Sequence, residues 1–424
     1  MGSWEGRMIQ LDVRTQEQEE VIKTVFDIIE ELRGTYTKEQ IIQETEDKGY
    51  PATLITELMT RAMGGDLAKY RDMFISTEEK GMALKLDTLR CLLNAYIDQH
   101  ADKSNIPESM TNYAPGRILL TAMGLLTIAS GKGGMDLIKS KYVPEIMQGH
   151  TMCYGITEPD AGTNTHKVST TALEEGDHYI INGQKIFISE ADSATFISLV
   201  AKVVSQGGGE RIGTFIVDMR AEGVKKTPLD IAALGDIQYS VFFDHVKVSK
   251  ESLVGISGSE AGKKRGISSS VFQALNLERI GIALTCLYMG KAVFRKGLQQ
   301  AKTKRSPGQP MGSYLNMKHK FAKAGLKLEL ANLAIKRAAE EFDNRGAPKT
   351  VGLYSNIAKL VSSEAAYEAA TIALEVYGVE GLNREDSIGQ LMQIIRLTRI
   401  APINNEMVLN FLGENLLGLP KSYR

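Results

Sequence analysis

Two groups of residues in this chain are of types and spacings that can do chemistry. The first runs from Tyr154 to Ser189. Ile156 and Thr157 form a short extended piece that enters Glu158-Pro159-Asp160-Ala161-Gly162, where proline fixes φ and glycine permits a tight turn with close backbone approach. Such a turn exposes backbone N–H groups, and Thr157, Thr163 and Asn164 add small hydrogen-bonding side chains beside them. That set suits the polar edge of a flat heteroaromatic ring or a pyrophosphate. Asn182-Gly183 then predicts a hairpin turn between His178–Ile181 and Ile186–Ser189, which would put an aromatic, Phe187, and a hydroxyl, Ser189, on one strand. The hairpin alone fits an ordinary β-domain equally well. The second group is Glu278-Arg279, set among Leu275, Leu277, Ile280, Ile282 and Leu284. A carboxylate partly buried on such a helix gains basicity and can take a proton from carbon. The alternative is a solvated charge pair or local ion pair.

The elements that must position these groups follow a helix, strand, helix order. Gln16 to Arg33 carries a helical apolar stripe, and further helical patterns follow to Met147, predicting an all-helical N-terminal domain over 8–150. From 151 to 262 the pattern changes to short β-type runs, 196–204, 214–219 and 240–249, with a Gly-rich turn at Gly207-Gly208-Gly209. From 263 to 424 long amphipathic helices return, expected at 268–302, 311–345, 350–377, 384–397 and 405–417, a C-terminal four-helix bundle with a last helix beside it. The fold class expected is α+β.

Composition narrows the function classes. Lys plus Arg total 50 against 51 for Asp plus Glu, so no charge excess argues for nucleic acid or an anionic membrane. Cys91, Cys153 and Cys286 are scattered, and the six histidines form no ligand-like spacing, so no metal centre is expected. The longest apolar run, Ile118 to Ser130, is too short to span a bilayer, and no secretory signal opens the chain, so a cytoplasmic location is expected.

The Thr157–Gly162 turn together with Asn182-Gly183-Gln184-Lys185-Ile186-Phe187-Ile188-Ser189 resembles the acyl-CoA dehydrogenase family, and the α, β, α order extends the resemblance over essentially the whole chain. The resemblance implies FAD as cofactor, an acyl-CoA substrate, an electron-transferring flavoprotein as partner and a homotetramer. It places Tyr154, Ile156, Thr157, Gly162 and Thr163 along the flavin and its pyrophosphate, with Phe187 and Ser189 against the ring. Many members carry Trp where Phe187 stands; either aromatic covers a flavin face. Lys304, Arg305, Ser306, Gly378 and Asn404 map to positions that approach the cofactor. Glu375 stands where the family has Gln, and brings a negative charge.

The implied reaction removes the α proton of an acyl thioester with a carboxylate while the β hydride leaves to the flavin. The family's usual base is a Glu near the C-terminus. The matching segment here, Arg399 to Met407, carries no carboxylate at that place, which falls on Ala401 or Pro402. Glu278 resembles the base of the branch that includes isovaleryl-CoA dehydrogenases, and is the expected base, with Arg279 ordering the helix end and a candidate substrate contact. The family also holds the thioester oxygen through the backbone N–H at the missing Glu. Proline has none, so Ala401 is the expected donor. Departures around Met82 and Asn105 to Tyr113, and the lack of an Arg after Leu234-Gly235, point to an unusual acyl group, branched or cyclic. A catalytically silent flavin-binding relative is the competing expectation.

Overall fold

The computed structural model describes residues 15–16, 18–24, 27, 90–91, 120, 123–124, 127–128, 137–142, 144–145, 150–164, 167–229, 231, 238–256, 269–344, 346–383 and 388–421. Most of the expected N-terminal helices, Met82, Asn105 to Tyr113 and Leu234-Gly235 lie outside the described residues. The chain divides into two compact units, one of Met1–Lys23, Lys85–Ile106 and Arg279–Arg424, the other of Thr24–Leu84 and Pro107–Glu278.

The second unit is built on a sheet. Its strands are β1 (Met152–Gly155), β2 (Thr171–Glu175), β3 (His178–Ser189), β4 (Phe196–Val204), β5 (Glu210–Asp218), β6 (Val224–Leu229), β7 (Gln238–Ser249) and β8 (Leu253–Ile256), in the order β6-β7-β3-β2-β4-β5-β8, with β1 also pairing β4. Both β1 and β2 run parallel to β4 and share one of its edges. β4 is apolar almost throughout because both its faces are covered: Ile197, Leu199 and Ala201 join Phe215, Val217 and Val241 in one core, while Phe196 packs with Tyr142, Met152 and Ile216 in another. β6 closes the sheet with exposed Lys225, Lys226 and Pro228, residues that discourage pairing with a further strand.

The hairpin expected at Asn182-Gly183 is not there. The two-residue turn is Gly176-Asp177, with Gly176 at φ 59°, and β3 runs unbroken through Asn182-Gly183. Tertiary contacts override the local turn preference. The Asn182 side chain accepts from the His245 amide at 2.9 Å, and Gly183 marks a register shift against β7. A Cβ on Gly183 would lie 2.7 Å from Thr170 Cα, so glycine serves here for close approach.

The first unit is helical: α1 (Ser269–Thr303, which begins in the second unit), α2 (Leu315–Asp343), α3 (Pro348–Tyr377), α4 (Ile388–Thr398) and α5 (Asn405–Asn415). α1 and α3 approach through small residues at matched heptad spacing. A Cβ on Gly290 would fall 2.9 Å from Ala366, and one on Gly297 would fall 2.9 Å from Ala373. Lys291 of α1 and Glu329 of α2 form a largely buried ion pair at 3.4 Å. α3 carries a buried polar stripe, Ser355, Lys359, Ser362 and Ser363, on the face where its neighbours are alanines. Cys91, Cys153 and Cys286 are buried and form no disulfide. Among the described residues no helix is long and apolar enough to cross a membrane.

Candidate active site

β1 delivers the Thr157 turn to the edge of β3. The Ile186 amide donates to Thr157 O at 3.0 Å, and Glu158 and Ala161 exchange backbone hydrogen bonds across Pro159-Asp160. The turn is anchored from below. Lys185 Nζ lies 2.7 Å from Glu158 Oε1 with both side chains fully buried, and also donates to Ile156 O at 3.2 Å. Glu158 accepts in addition from the Ser169 amide and hydroxyl, both at 2.6 Å, and from the Thr170 amide at 3.0 Å. Burial raises the pKa of this carboxyl, but the Lys185 charge and the converging donors outweigh it and lower the value to about 2.

One consequence of the turn docking against β3 is a second register shift, between Lys185 and Ile188. Phe187 sits in it at φ 56°, a left-handed backbone unusual for an aromatic residue, and its ring is 56% exposed. Ser189 exchanges hydrogen bonds with the Gln238 side chain at 3.0 Å and 3.2 Å. Thr157 and Ile156 are half-buried, and Gly162 and Thr163 are exposed. A Cβ on Gly162 would meet nothing within 4 Å, leaving open space over that backbone. The structure therefore brings the turn residues and the Phe187 segment onto neighbouring strands of one unit, and an exposed ring, open backbone and small hydroxyls fit a flat heteroaromatic group with a polar edge. Tyr154, expected along the flavin, is buried.

Glu278 is half-buried on α1, and its carboxylate is felt at Tyr154. Burial, first, and then the negative charge of Glu278 hold the Tyr154 phenol above its ordinary pKa, against the Thr127 hydroxyl. Arg279 is half-buried beside it.

The residues expected at the cofactor's far end have other engagements. Lys304 Nζ donates to Tyr377 O at 2.8 Å, closing the C-terminus of α3, where Gly378 adopts φ 65°; a Cβ on Gly378 would come 4.0 Å from that Nζ. Lys304 and Gly378 are thus brought together. Arg305 and Ser306 belong to an exposed turn in which Gly308 adopts φ 82°, Ser306 N donates to Gln309 O and the Arg305 guanidinium donates to Gly308 O. Glu375 pairs with Lys320 at 2.5 Å. Asn404 is the N-cap of α5, accepting from the Met407 amide at 2.8 Å, so this side chain satisfies the helix.

Ala401 does not offer the expected amide. Its N–H donates to Leu397 O at 2.9 Å, because the hydrogen-bonding of α4 continues one turn past its last helical residue. The Ala401–Pro402 peptide bond is cis. Lys185 and Lys359 were missed as candidates. For Lys185 the signal was an ionisable residue at an inward strand position, two beyond Gly183 and four beyond the buried Ile181. Lys359 Nζ donates to Ile403 O at 2.6 Å and to Asn405 Oδ1 at 2.7 Å, just after the Ala401–Pro402 position that carries no carboxylate.

Comparison with known proteins matches residues 153–246 to the acyl-CoA dehydrogenase middle domain and residues 265–417 to the acyl-CoA dehydrogenase C-terminal domain. An acyl-CoA dehydrogenase of Mycobacterium tuberculosis is 35% identical over 295 residues, 69% of this chain and 74% of that protein. In fold, butyryl-CoA dehydrogenase from Megasphaera elsdenii superposes with a TM-score of 0.74 at 23% identity, covering 96% of this chain and 100% of its own. A glutaryl-CoA dehydrogenase from Mycobacterium smegmatis in complex with FADH2 superposes with a TM-score of 0.73 at 18% identity, covering 97% of each chain. On the strength of these matches and of the sheet and helices described above, the chain belongs to the acyl-CoA dehydrogenase family.

Proposed function

We propose that the chain is an FAD-dependent enzyme that introduces an α,β double bond into an acyl-CoA, with Glu278 as base. The observation that carries this reading is that Glu278, half-buried on α1, acts electrostatically on Tyr154, on the strand that leads into the Thr157 turn. Thr157, Gly162 and Thr163 would hold the polar edge and pyrophosphate of FAD, and the exposed Phe187 ring would cover one face of the flavin. Bound FAD supplies the acceptor for the hydride that leaves Cβ. Glu278 takes the α proton, and the two C–H electron pairs become the new C=C bond and the reduced cofactor.

In this reading the electrons pass on to an electron-transferring flavoprotein in the cytoplasm, and the acyl group is branched or cyclic. The chain works as a homotetramer; exposed Leu326, Leu330 and Leu333, spaced along one face of α2, support burial against another copy. One observation favours a second reading, a silent flavin-binding subunit: neither Ala401, committed to Leu397 O, nor Pro402 offers an amide to a thioester oxygen. Anaerobic mixing with straight, branched and cyclic acyl-CoAs separates the two. Bleaching of the flavin band by one of them supports the dehydrogenase; a yellow protein bleached by none supports the silent subunit.

A further inference from the structure

Past the register shift at Phe187 the β3–β7 ladder resumes for two pairs, Ile188 with Tyr239 and Ser189 with Gln238, and the second of these ends it. The chain then leaves β3 through Glu190, which is buried and left-handed at φ 63°. Ser189 therefore lies in a short piece bounded by two non-glycine residues of left-handed backbone, an arrangement that persists only where its surroundings fix it. Directly paired residues point to the same side of a sheet, and so the Gln238 side chain, buried at the start of β7, meets the Ser189 hydroxyl. Both ends of its amide reach it: Gln238 Nε2 donates to Ser189 Oγ at 3.0 Å, and Ser189 Oγ donates to Gln238 Oε1 at 3.2 Å. Exchanging the two ends of the amide leaves a donor and an acceptor in the same places. A serine hydroxyl has one proton to give and lone pairs to receive. Partnered by a group of one kind, it would be fixed in one role; Gln238 lets it take either.

We infer that Gln238 is a positioning residue for Ser189, letting its hydroxyl change from donor to acceptor as the flavin is reduced. This rests on the FAD reading, in which Ser189 stands against the flavin ring. A ring nitrogen that takes a hydride has a lone pair beforehand and an N–H afterwards. Toward such an edge Ser189 donates in the oxidised state, while Gln238 Nε2 gives the hydroxyl oxygen a donor. After reduction Ser189 accepts, and turns its own proton onto Gln238 Oε1. Without Gln238 that proton loses its acceptor in the reduced state, and a donor left unmet in a covered site is costly. Gln238 therefore favours the reduced flavin over the oxidised one, and does so through Ser189.

The test uses the FAD-loaded protein and its reduction potential, measured at fixed pH against a reference dye. Gln238→Met keeps the length of the side chain and removes both amide groups. Its two-electron potential should fall by about 30 mV, the reduced flavin being held about tenfold less tightly relative to the oxidised one. A residue that only shaped the site would weaken both states alike and leave the potential where it was. Ser189→Ala removes the hydroxyl through which Gln238 acts, so adding Gln238→Met to it should move the potential no further. An unchanged or raised potential in Gln238→Met, or an equal fall in the Ser189→Ala background, would overturn the inference while leaving Ser189 at the ring. Ser189→Ala alone should shift the visible absorption band of the oxidised flavin; an unmoved band takes Ser189 away from the ring, and the inference falls with that placement. Should Gln238→Met fail to fold, Gln238→Asn keeps a polar amide on β7 and draws it back from Ser189 by one methylene. Its potential should fall likewise, and an unmoved potential overturns the inference in the same way.

Discussion

Lys185 Nζ and Glu158 Oε1 lie 2.7 Å apart, and their side chains are 0% and 1% exposed. This contact joins the turn after β1 to β3, 27 residues on, and with the Ile186 amide on Thr157 O it sets where the Phe187 segment leaves the β7 ladder. Removing one partner leaves a buried charge uncompensated. Glu158→Gln or Lys185→Met should each cost about 3–5 kcal/mol, and the double variant should recover much of that loss. Denaturant titration of the four proteins checks this. Additive single losses would show that the two side chains stabilise the sheet independently.

The same pair gives the platform an acid limit. Glu158 is lowered to about 2 in the folded protein, below its unfolded value of about 4.5. A depressed carboxylate contributes stability that is complete above the unfolded pKa and is lost as pH falls through the folded one. Stability of the sheet should therefore decline between about pH 4.5 and pH 2. In the double variant Glu158→Gln, Lys185→Met that part of the decline should vanish, as followed by near-ultraviolet circular dichroism.

Phe187 combines a left-handed backbone with a largely exposed ring. Phe187→Gly should relieve about 1 kcal/mol of backbone strain and leave the melting temperature equal or higher. It should also release FAD more readily, while Phe187→Trp retains it. Ultrafiltration with absorbance of the filtrate measures both; equal retention by the Gly variant would remove Phe187 from the cofactor site.

Gly183→Ala should destabilise by about 1–3 kcal/mol, because the added methyl must displace the Thr170 backbone. A chemical melt is sufficient, and a neutral effect would mean that Thr170 has room to move.

The strands and helices were legible where burial is one-sided and continuous. β4 was read at its observed bounds and the start of α5 at Asn405, because apolar alternation and an N-cap asparagine are local signals. Asn182-Gly183 was misread for the same reason: its turn preference is local, whereas the Thr170 backbone and the His245 amide that occupy it come from distant residues. The Thr157–Gly162 turn was legible as a turn, but the ion pair beneath it was not, since nothing in the spacing of Glu158 and Lys185 says that the segments carrying them adjoin. Ala401 is the expected donor only because Pro402 has no N–H, and residue spacing does not show that the Ala401 amide is taken up by Leu397 O.

Glu278 is the proposed base of a flavin-dependent dehydrogenation. Anaerobic titration of the FAD-loaded protein with the acyl-CoA panel, following absorbance near 450 nm, tests it most directly when Glu278→Gln is measured in parallel. One thioester should bleach the parent protein, and the variant should bind FAD equally but be reduced at least about a thousandfold more slowly. Equal bleaching of the variant would contradict the assignment of Glu278.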